Sequence, residues 1–122
     1  MTHASIMDGM TVAAFRRIAL SLPEATEVGH MGHPDFRLGG RIFATLGHPD
    51  ERWAMVKLTP EQQEGLVAAE PDVFMPVKGS WGRKGATSVL LREAKAASVR
   101  TALMAAWRNV APPKLARRIE VG

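Results

Sequence analysis

The chain has 122 residues, of which 46% are hydrophobic, and a formal net charge of +4. This length suits one domain with one core, so we expect a single domain over residues 11–119 behind a disordered or irregular segment over residues 1–10. The absence of cysteine excludes disulfides, thiolate nucleophiles and Cys-based zinc or iron–sulfur sites.

The first predicted element is a helix that begins after Thr11, whose hydroxyl can cap it, and ends at Pro23. Apolar residues recur inside it at steps of three and four, as on one face of a helix: Val12, Phe15, Ile18, Ala19 and Leu22. Residues 35–46 follow as a β-hairpin, because Gly39-Gly40 supplies the positive φ angles of a two-residue turn. That turn predicts the pairs Leu38 with Arg41 and Phe36 with Phe43 on the core side, and Arg37 with Ile42 on the other side.

A third strand is predicted over Trp53 to Leu58, where side chains alternate between two faces. Thr59-Pro60-Glu61-Gln62 is the sequence of a capping box with proline at the first helical position. We therefore expect a helix from Pro60 to about Ala69, closed by Pro71. Residues 71–85 hold two prolines and three glycines, which predicts a loop or a broken strand.

A last strand is expected over Ala86 to Leu91, followed by a long helix over Ala94 to Val110 with one apolar stripe. Pro112-Pro113 ends that helix, and residues 114–119 can add a short basic turn or helix. The element order predicts an α+β fold, an antiparallel sheet of about four to five strands with helices packed on one face. Such a sheet leaves its other face to solvent or to a ligand.

Four segments in sequence resemble the YjbR/MmcQ-like family of small bacterial proteins. They are Gly32 to Leu46, Val56-Lys57-Leu58 with the Pro-Glu-Gln helix start, Gly79 to Gly85, and Ala106 to Pro112. Together they span roughly residues 11 to 115. The resemblance implies a fold like that of frataxin and CyaY, and a DNA-binding role drawn from the likeness of these proteins to a double-wing phage transcription factor. The chain departs from the family at Ala86, where a bulky aromatic is expected, and at Leu90, where a polar or acidic residue is expected.

Charge is distributed unevenly along the chain. Residues 1–72 hold 6 Lys and Arg against 10 Asp and Glu, whereas residues 73–122 hold 10 against 2, so the two parts carry −4 and +8. This asymmetry suits a surface that attracts a polyanion, or a solvated basic face without a partner.

The loop from Lys78 to Gly85 is the strongest candidate site, because cations alternate there with glycines around a tryptophan. Glycine lets backbone N–H groups approach phosphate, cations neutralise it, and an indole can stack on a base. The alternative is a flexible solvent loop whose tryptophan folds back on the core. The predicted nucleic-acid-binding residues are Arg37, Arg41, Lys57, Lys78, Trp81, Arg83 and Lys84, with Trp53 and Met55 either beside them on the sheet face or in the core.

Catalytic and metal sites are not predicted. No Gly-x-Ser-x-Gly elbow and no opposed pair of acidic residues is present, so we do not expect an enzyme. His30, His33 and His48 are of a ligating type, but Pro34 interrupts any helical ligand pair, and we expect neither metal nor cofactor.

Two function classes remain. The first is a non-enzymatic domain that binds DNA or another polyanion weakly through the basic loop and the sheet face. The second is a module that binds an anionic small molecule or a protein in a pocket between sheet and helices, with Arg37, Arg41 or Trp81 at its rim. No stretch approaches the roughly 18 to 20 apolar residues of a membrane span, and the start lacks a secretory pattern, so we expect a cytoplasmic protein without a membrane partner.

Overall fold

The computed structural model describes residues 9–29, 33–47 and 50–121, the last three by their backbone alone. The α-helices in these ranges are α1 (Val12–Ser21), α2 (Pro60–Ala69), α3 (Ser80–Arg83), α4 (Ala96–Val110) and α5 (Pro113–Val121), with a 3₁₀ turn over Leu91–Glu93. The strands are β1 (Thr26–Val28), β2 (Asp35–Leu38), β3 (Arg41–Leu46), β4 (Trp53–Lys57), β5 (Phe74–Pro76) and β6 (Ala86–Leu90). All pairings are antiparallel, in the order β1-β2-β3-β4-β6-β5. The α+β prediction is confirmed, with six strands in place of four to five.

The predicted helix caps are present. Thr11 Oγ1 accepts a hydrogen bond from the Ala14 N–H at 3.0 Å. Thr59 Oγ1 accepts one from the Gln62 N–H at 3.1 Å, and the Gln62 side chain accepts one from the Thr59 N–H at 2.9 Å. A cap of this kind stabilises a helix by about 1 kcal/mol. No helix in the described ranges is long and apolar enough to cross a membrane.

The hairpin between β2 and β3 has the predicted turn, since Gly39 and Gly40 have φ angles of 59° and 82°. The pairs nearest the turn are also as predicted, Leu38 with Arg41 and Arg37 with Ile42. Both glycines adopt a backbone region that is strained for other residues, which fixes the turn at this point.

The prediction that Phe36 pairs with Phe43 is wrong, because the register shifts between Phe36 and Arg37 and Phe36 pairs with Ala44. Phe43 is the extra residue of this irregularity, a β-bulge. Phe36 and Phe43 are nevertheless both fully buried, as expected for the core side. The bulge therefore adds an apolar side chain to the core at the cost of one regular pair.

Two short elements, β1 and α3, were not predicted, and a third, β5, agrees with one of two predicted alternatives. The strands β1 and β5 have three residues each and pair with one neighbour each, β2 and β6. Both β5 and the single turn α3 lie inside residues 71–85, which were predicted as a loop or a broken strand. Elements this short lack a period of their own and depend on the strands beside them.

The core lies between the sheet and the helices α1 and α4. Phe15 of α1 contacts Phe36 of β2 with ring centroids 6.1 Å apart. Trp107 of α4 is fully buried, and its Nε1–H donates to the carbonyl oxygen of Pro23 at 3.0 Å. This bond ties the loop after α1 to the last turn of the long helix. Residues 1–8 of the segment expected to be irregular lie outside the described residues, while Met10 is buried and its N–H donates to the Leu91 carbonyl at 2.9 Å.

The second face of the sheet is less covered than the core face. We name the residues of β2 to β6 that lie on this face and are not buried the open face: Arg37, Ile42, Thr45, Trp53, Met55, Lys57, Met75, Ser88 and Leu90. All are half-buried except Met75, which is exposed. Trp53 and Met55 therefore lie on the open face rather than in the core, which settles the alternative that the sequence left open.

Candidate functional site

One end of the sheet brings together the end of β4, the start of β6 and the loop before it. Lys57, the last residue of β4, pairs with Ala86, the first residue of β6. The segment from Lys78 to Gly85 immediately precedes Ala86, so the end of this segment lies beside Lys57. The pairing joins a strand residue to a loop more than 20 positions away in sequence.

Trp81 is the most exposed large apolar side chain of the described residues, with 63% of its surface accessible to solvent. The Nζ of Lys57 lies over its ring, 5.6 Å from the ring centroid. This is the distance of a cation–π contact, in which the ammonium is attracted to the negative face of the ring. Trp81 points outward and does not fold back on the core, which was the alternative to a binding role.

The loop that carries Trp81 is packed against backbone on two sides. A Cβ on Gly82 would lie 1.6 Å from the Val77 carbonyl oxygen, and a Cβ on Gly85 would lie 1.9 Å from the Leu58 carbonyl oxygen. Gly85 also has a φ of 115°, which side chains rarely tolerate. The two glycines allow a close approach of loop and sheet, and this approach fixes where the indole is displayed.

Gln63 of α2 anchors the same loop through its side-chain amide. Its Nε2 donates to the carbonyl oxygens of Gly82 and Ala86, both at 3.0 Å, and approaches Thr87 Oγ1 at 3.2 Å. Thr87 is itself fully buried and donates to the Gly85 carbonyl at 2.8 Å. Sequence reasoning missed Gln63, because its partners lie 19 to 24 residues further along the chain.

Three backbone N–H groups of the loop donate hydrogen bonds to carbonyl groups of the same loop. The N–H of Arg83 donates to the Gly79 carbonyl at 3.2 Å, that of Lys84 to the Ser80 carbonyl at 3.1 Å, and that of Gly85 to the Gly82 carbonyl at 3.0 Å. These three donors are therefore not free to bind phosphate, and the predicted contact of backbone N–H groups with phosphate does not extend to them. Gly82 and Gly85 serve the packing of the loop, and the exposed cationic side chains are its candidate contacts with an anion.

The cations of the loop that carries Trp81, together with Lys57, make no ion pair within the described residues. Lys78, Arg83 and Lys84 are exposed, Lys57 is half-buried, and none of the four makes an ion pair with any residue in the described ranges. We call these four residues the basic cluster. The exposed charges hold their hydration and stay available for a ligand of opposite sign.

The two remaining predicted residues do not belong to the basic cluster. Arg37 lies on the open face and pairs with Asp35, its Nη2 3.2 Å from Oδ2. Arg41 is exposed at the hairpin turn and lines a separate cleft. The predicted set of seven therefore divides into five residues at one site, one neutralised arginine, and one arginine in a different environment.

The cleft beside Arg41 lies between the hairpin turn and the helices α4 and α5. Its volume is about 450 Å³, and its walls are Glu24, Leu38, Gly39, Arg41, Val110, Ala111, Pro112, Pro113 and Leu115. Glu24, at a φ of 59°, also pairs with Arg118 of α5 at 3.4 Å. The cleft thus carries both signs of charge, unlike the basic cluster.

Acidic and histidine side chains form no metal centre among the described residues, where no three of them lie close enough to hold an ion. His30 and His48 lie outside the described residues. Arg52 forms two side-chain hydrogen bonds with Asp50 and lowers the pKa of that carboxyl to about 2. This arginine is thereby paired and is not part of the basic cluster.

Comparisons with known proteins concern both the family and the fold of this chain. The YjbR family model matches residues 20–109, and no curated protein matches the chain. The crystal structure of Deinococcus radiodurans protein DR2400, a DUF419 domain, is similar in fold with a TM-score of 0.69. The two sequences are 19% identical, and the match covers 94% of this chain and 91% of the DR2400 chain. The family match spans most of the sequence and includes β4, α3 and β6, so the chain belongs to the YjbR family.

Proposed function

We propose that this protein is a non-enzymatic domain that binds nucleic acid, chiefly through phosphate, at the basic cluster and the adjoining open face. The observation that carries the proposal is the basic cluster, four cations that make no ion pair within the described residues, of which Lys57 lies over the exposed ring of Trp81 and the other three lie in the segment that carries this ring. Because a nucleic-acid ligand must share a compartment with the protein, the proposal includes the cytoplasmic location expected from the sequence.

Phosphate is the ligand group that suits this arrangement. Side chains of lysine and arginine gain affinity for a polyanion by releasing its condensed counterions, and they need no shaped cavity to do so. The later part of the chain, which supplies three of the four cations, carries a net +8. A contact of this kind positions the ligand without reading its sequence.

Arg37 has a smaller place in the proposal than the sequence suggested. It shares the open face with Lys57, but its charge is already balanced by Asp35. A partner that displaced Asp35 would lose that ion pair, so the net gain from Arg37 is small. The phosphate path is therefore proposed along the basic cluster, with the open face beside it.

Salt dependence tests this proposal directly. Binding of fluorescent oligonucleotides, both duplex and single-stranded, is measured by anisotropy between 50 and 200 mM salt. Neutralisation of about four phosphates predicts that the affinity falls roughly 50- to 150-fold over this range. An affinity that stays constant with salt, or no binding at the lowest salt, would contradict the proposal.

The cleft beside Arg41 supports a second candidate function, the binding of a small anion. Arg41 lines this open cleft together with apolar side chains, and its guanidinium can pair with a carboxylate or phosphate. Inorganic phosphate and malonate are the probes in a thermal-shift assay at 200 mM salt. We expect a rise in Tm of a few degrees at saturating ligand that is lost in Arg41→Ala. An unchanged Tm with both probes would count against this candidate.

A further inference from the structure

Trp81 is displayed in a way that phosphate contacts do not require. A ring with 63% of its surface in water forgoes the burial that stabilises most large apolar side chains. A fifth cation at this position would serve phosphate binding better than an indole. The ring therefore calls for a ligand group with an apolar flat face.

The backbone that carries the ring is held in place by its surroundings. Gly82 packs against the Val77 carbonyl and Gly85 against the Leu58 carbonyl, and the Gln63 amide donates to the carbonyl oxygens of Gly82 and Ala86. The ammonium of Lys57 covers one side of the ring at 5.6 Å from its centroid. An aromatic group held in this manner loses little freedom when it stacks on a ligand.

Apolar side chains continue from the ring along the open face. Lys57 and Met55 alternate on one face of β4, and Met55 stands level with Ser88 of β6 and Met75 of β5. Met75 is exposed and Met55 is half-buried. The ring thus stands at the end of a partly apolar surface about three strands, roughly 10 Å, wide.

Resting on the proposed function, we infer that the nucleic acid bound here is single-stranded, with an unpaired base stacked on the accessible surface of the Trp81 indole. In a duplex both faces of each base are covered by neighbouring bases, and an indole reaches them only by opening a step. Unpaired bases expose their faces and stack on aromatic side chains without that cost. Lys57, at the same ring, then lies within reach of the adjoining phosphate.

The test compares single-stranded and duplex oligonucleotides of one sequence against the wild type, Trp81→Ala and Trp81→Phe. We expect Trp81→Ala to weaken single-strand binding by about 5- to 150-fold, the range of one base–aromatic stack, and to leave duplex binding within twofold. Trp81→Phe keeps a ring and should retain most of the affinity. Single-strand addition should also quench tryptophan fluorescence, and this quenching should be smaller in Trp81→Phe, which keeps Trp53 and Trp107.

The outcomes separate this inference from the proposed function. If the wild type binds both nucleic acids and Trp81→Ala weakens neither, or weakens both equally, stacking on the ring is refuted while phosphate binding stands. If neither nucleic acid binds at low salt, the proposed function fails and the inference fails with it. Trp81 is exposed, so an unchanged circular dichroism spectrum is expected for both variants and confirms that they are folded.

Discussion

Changing Lys78, Arg83 and Lys84 together to Glu is expected to abolish detectable binding of nucleic acid. Three of the four cations in the basic cluster become carboxylates, which repel phosphate where the wild type attracted it. The affinity at 50 mM salt should fall more than about 100-fold, because the counterion-release contribution of each cation is lost. If residual binding can be measured at the lowest salt, the slope of log affinity against log salt should be smaller in magnitude by about 3, or 1 per cation. Anisotropy titrations at several salt concentrations measure both quantities.

A matched control separates the local site from overall charge. Arg92, Lys95 and Arg100 are exposed and follow the far end of β6, away from Lys57 and Trp81. Changing these three to Glu alters the net charge of the protein by the same amount. We expect this variant to bind within about threefold of the wild type, since charges beyond a Debye length of roughly 10 Å are largely screened. Equal losses in both variants would mean that net charge, not the basic cluster, drives binding.

Local signals in the sequence predict the elements that have them. The cap at Thr11, the capping box at Thr59 and the two-glycine turn at Gly39 and Gly40 depend only on residues within four positions. The strand β1 depends instead on pairing with β2, and no sequence period reveals a strand of three residues. The bulge was missed for a related reason: Phe43 and Ala44 are both apolar, and the alternation alone does not say which of them faces Phe36.

The candidate site was predictable in composition but not in arrangement. Lys57 and Trp81 were both singled out, yet their contact exists because β4 pairs with β6, a pairing between segments far apart in sequence. The neutralisation of Arg37 could have been foreseen. Residues two apart on a strand share a face, so Asp35 stands where it can meet that arginine. The role of Gln63 could not be predicted in this way, since its acceptors are the backbone carbonyls of Gly82 and Ala86, which are distant in sequence.

Gly85→Ala is expected to destabilise the fold by about 4 kcal/mol or more, a large share of the 5 to 15 kcal/mol typical of a small domain. The new Cβ would lie 1.9 Å from the Leu58 carbonyl oxygen, at a backbone φ of 115°. Because the Gly85 carbonyl also accepts hydrogen bonds from Leu58 and Thr87, moving it away disturbs the junction of β4 and β6. Urea denaturation followed by circular dichroism gives the free energy of unfolding.

Gly65→Ala is the matched control, since the same atom is added where nothing lies within 4 Å. Gly65 is in the middle of α2 and is exposed, and alanine there should stabilise the helix by about 0.5 to 1 kcal/mol. The two variants therefore change stability in opposite directions for one reason, the space and backbone angle at each glycine. A Gly85→Ala protein within 1 kcal/mol of the wild type would show that the loop can move off β4. The fixed display of Trp81, on which the stacking of a base depends, would then lose its structural basis.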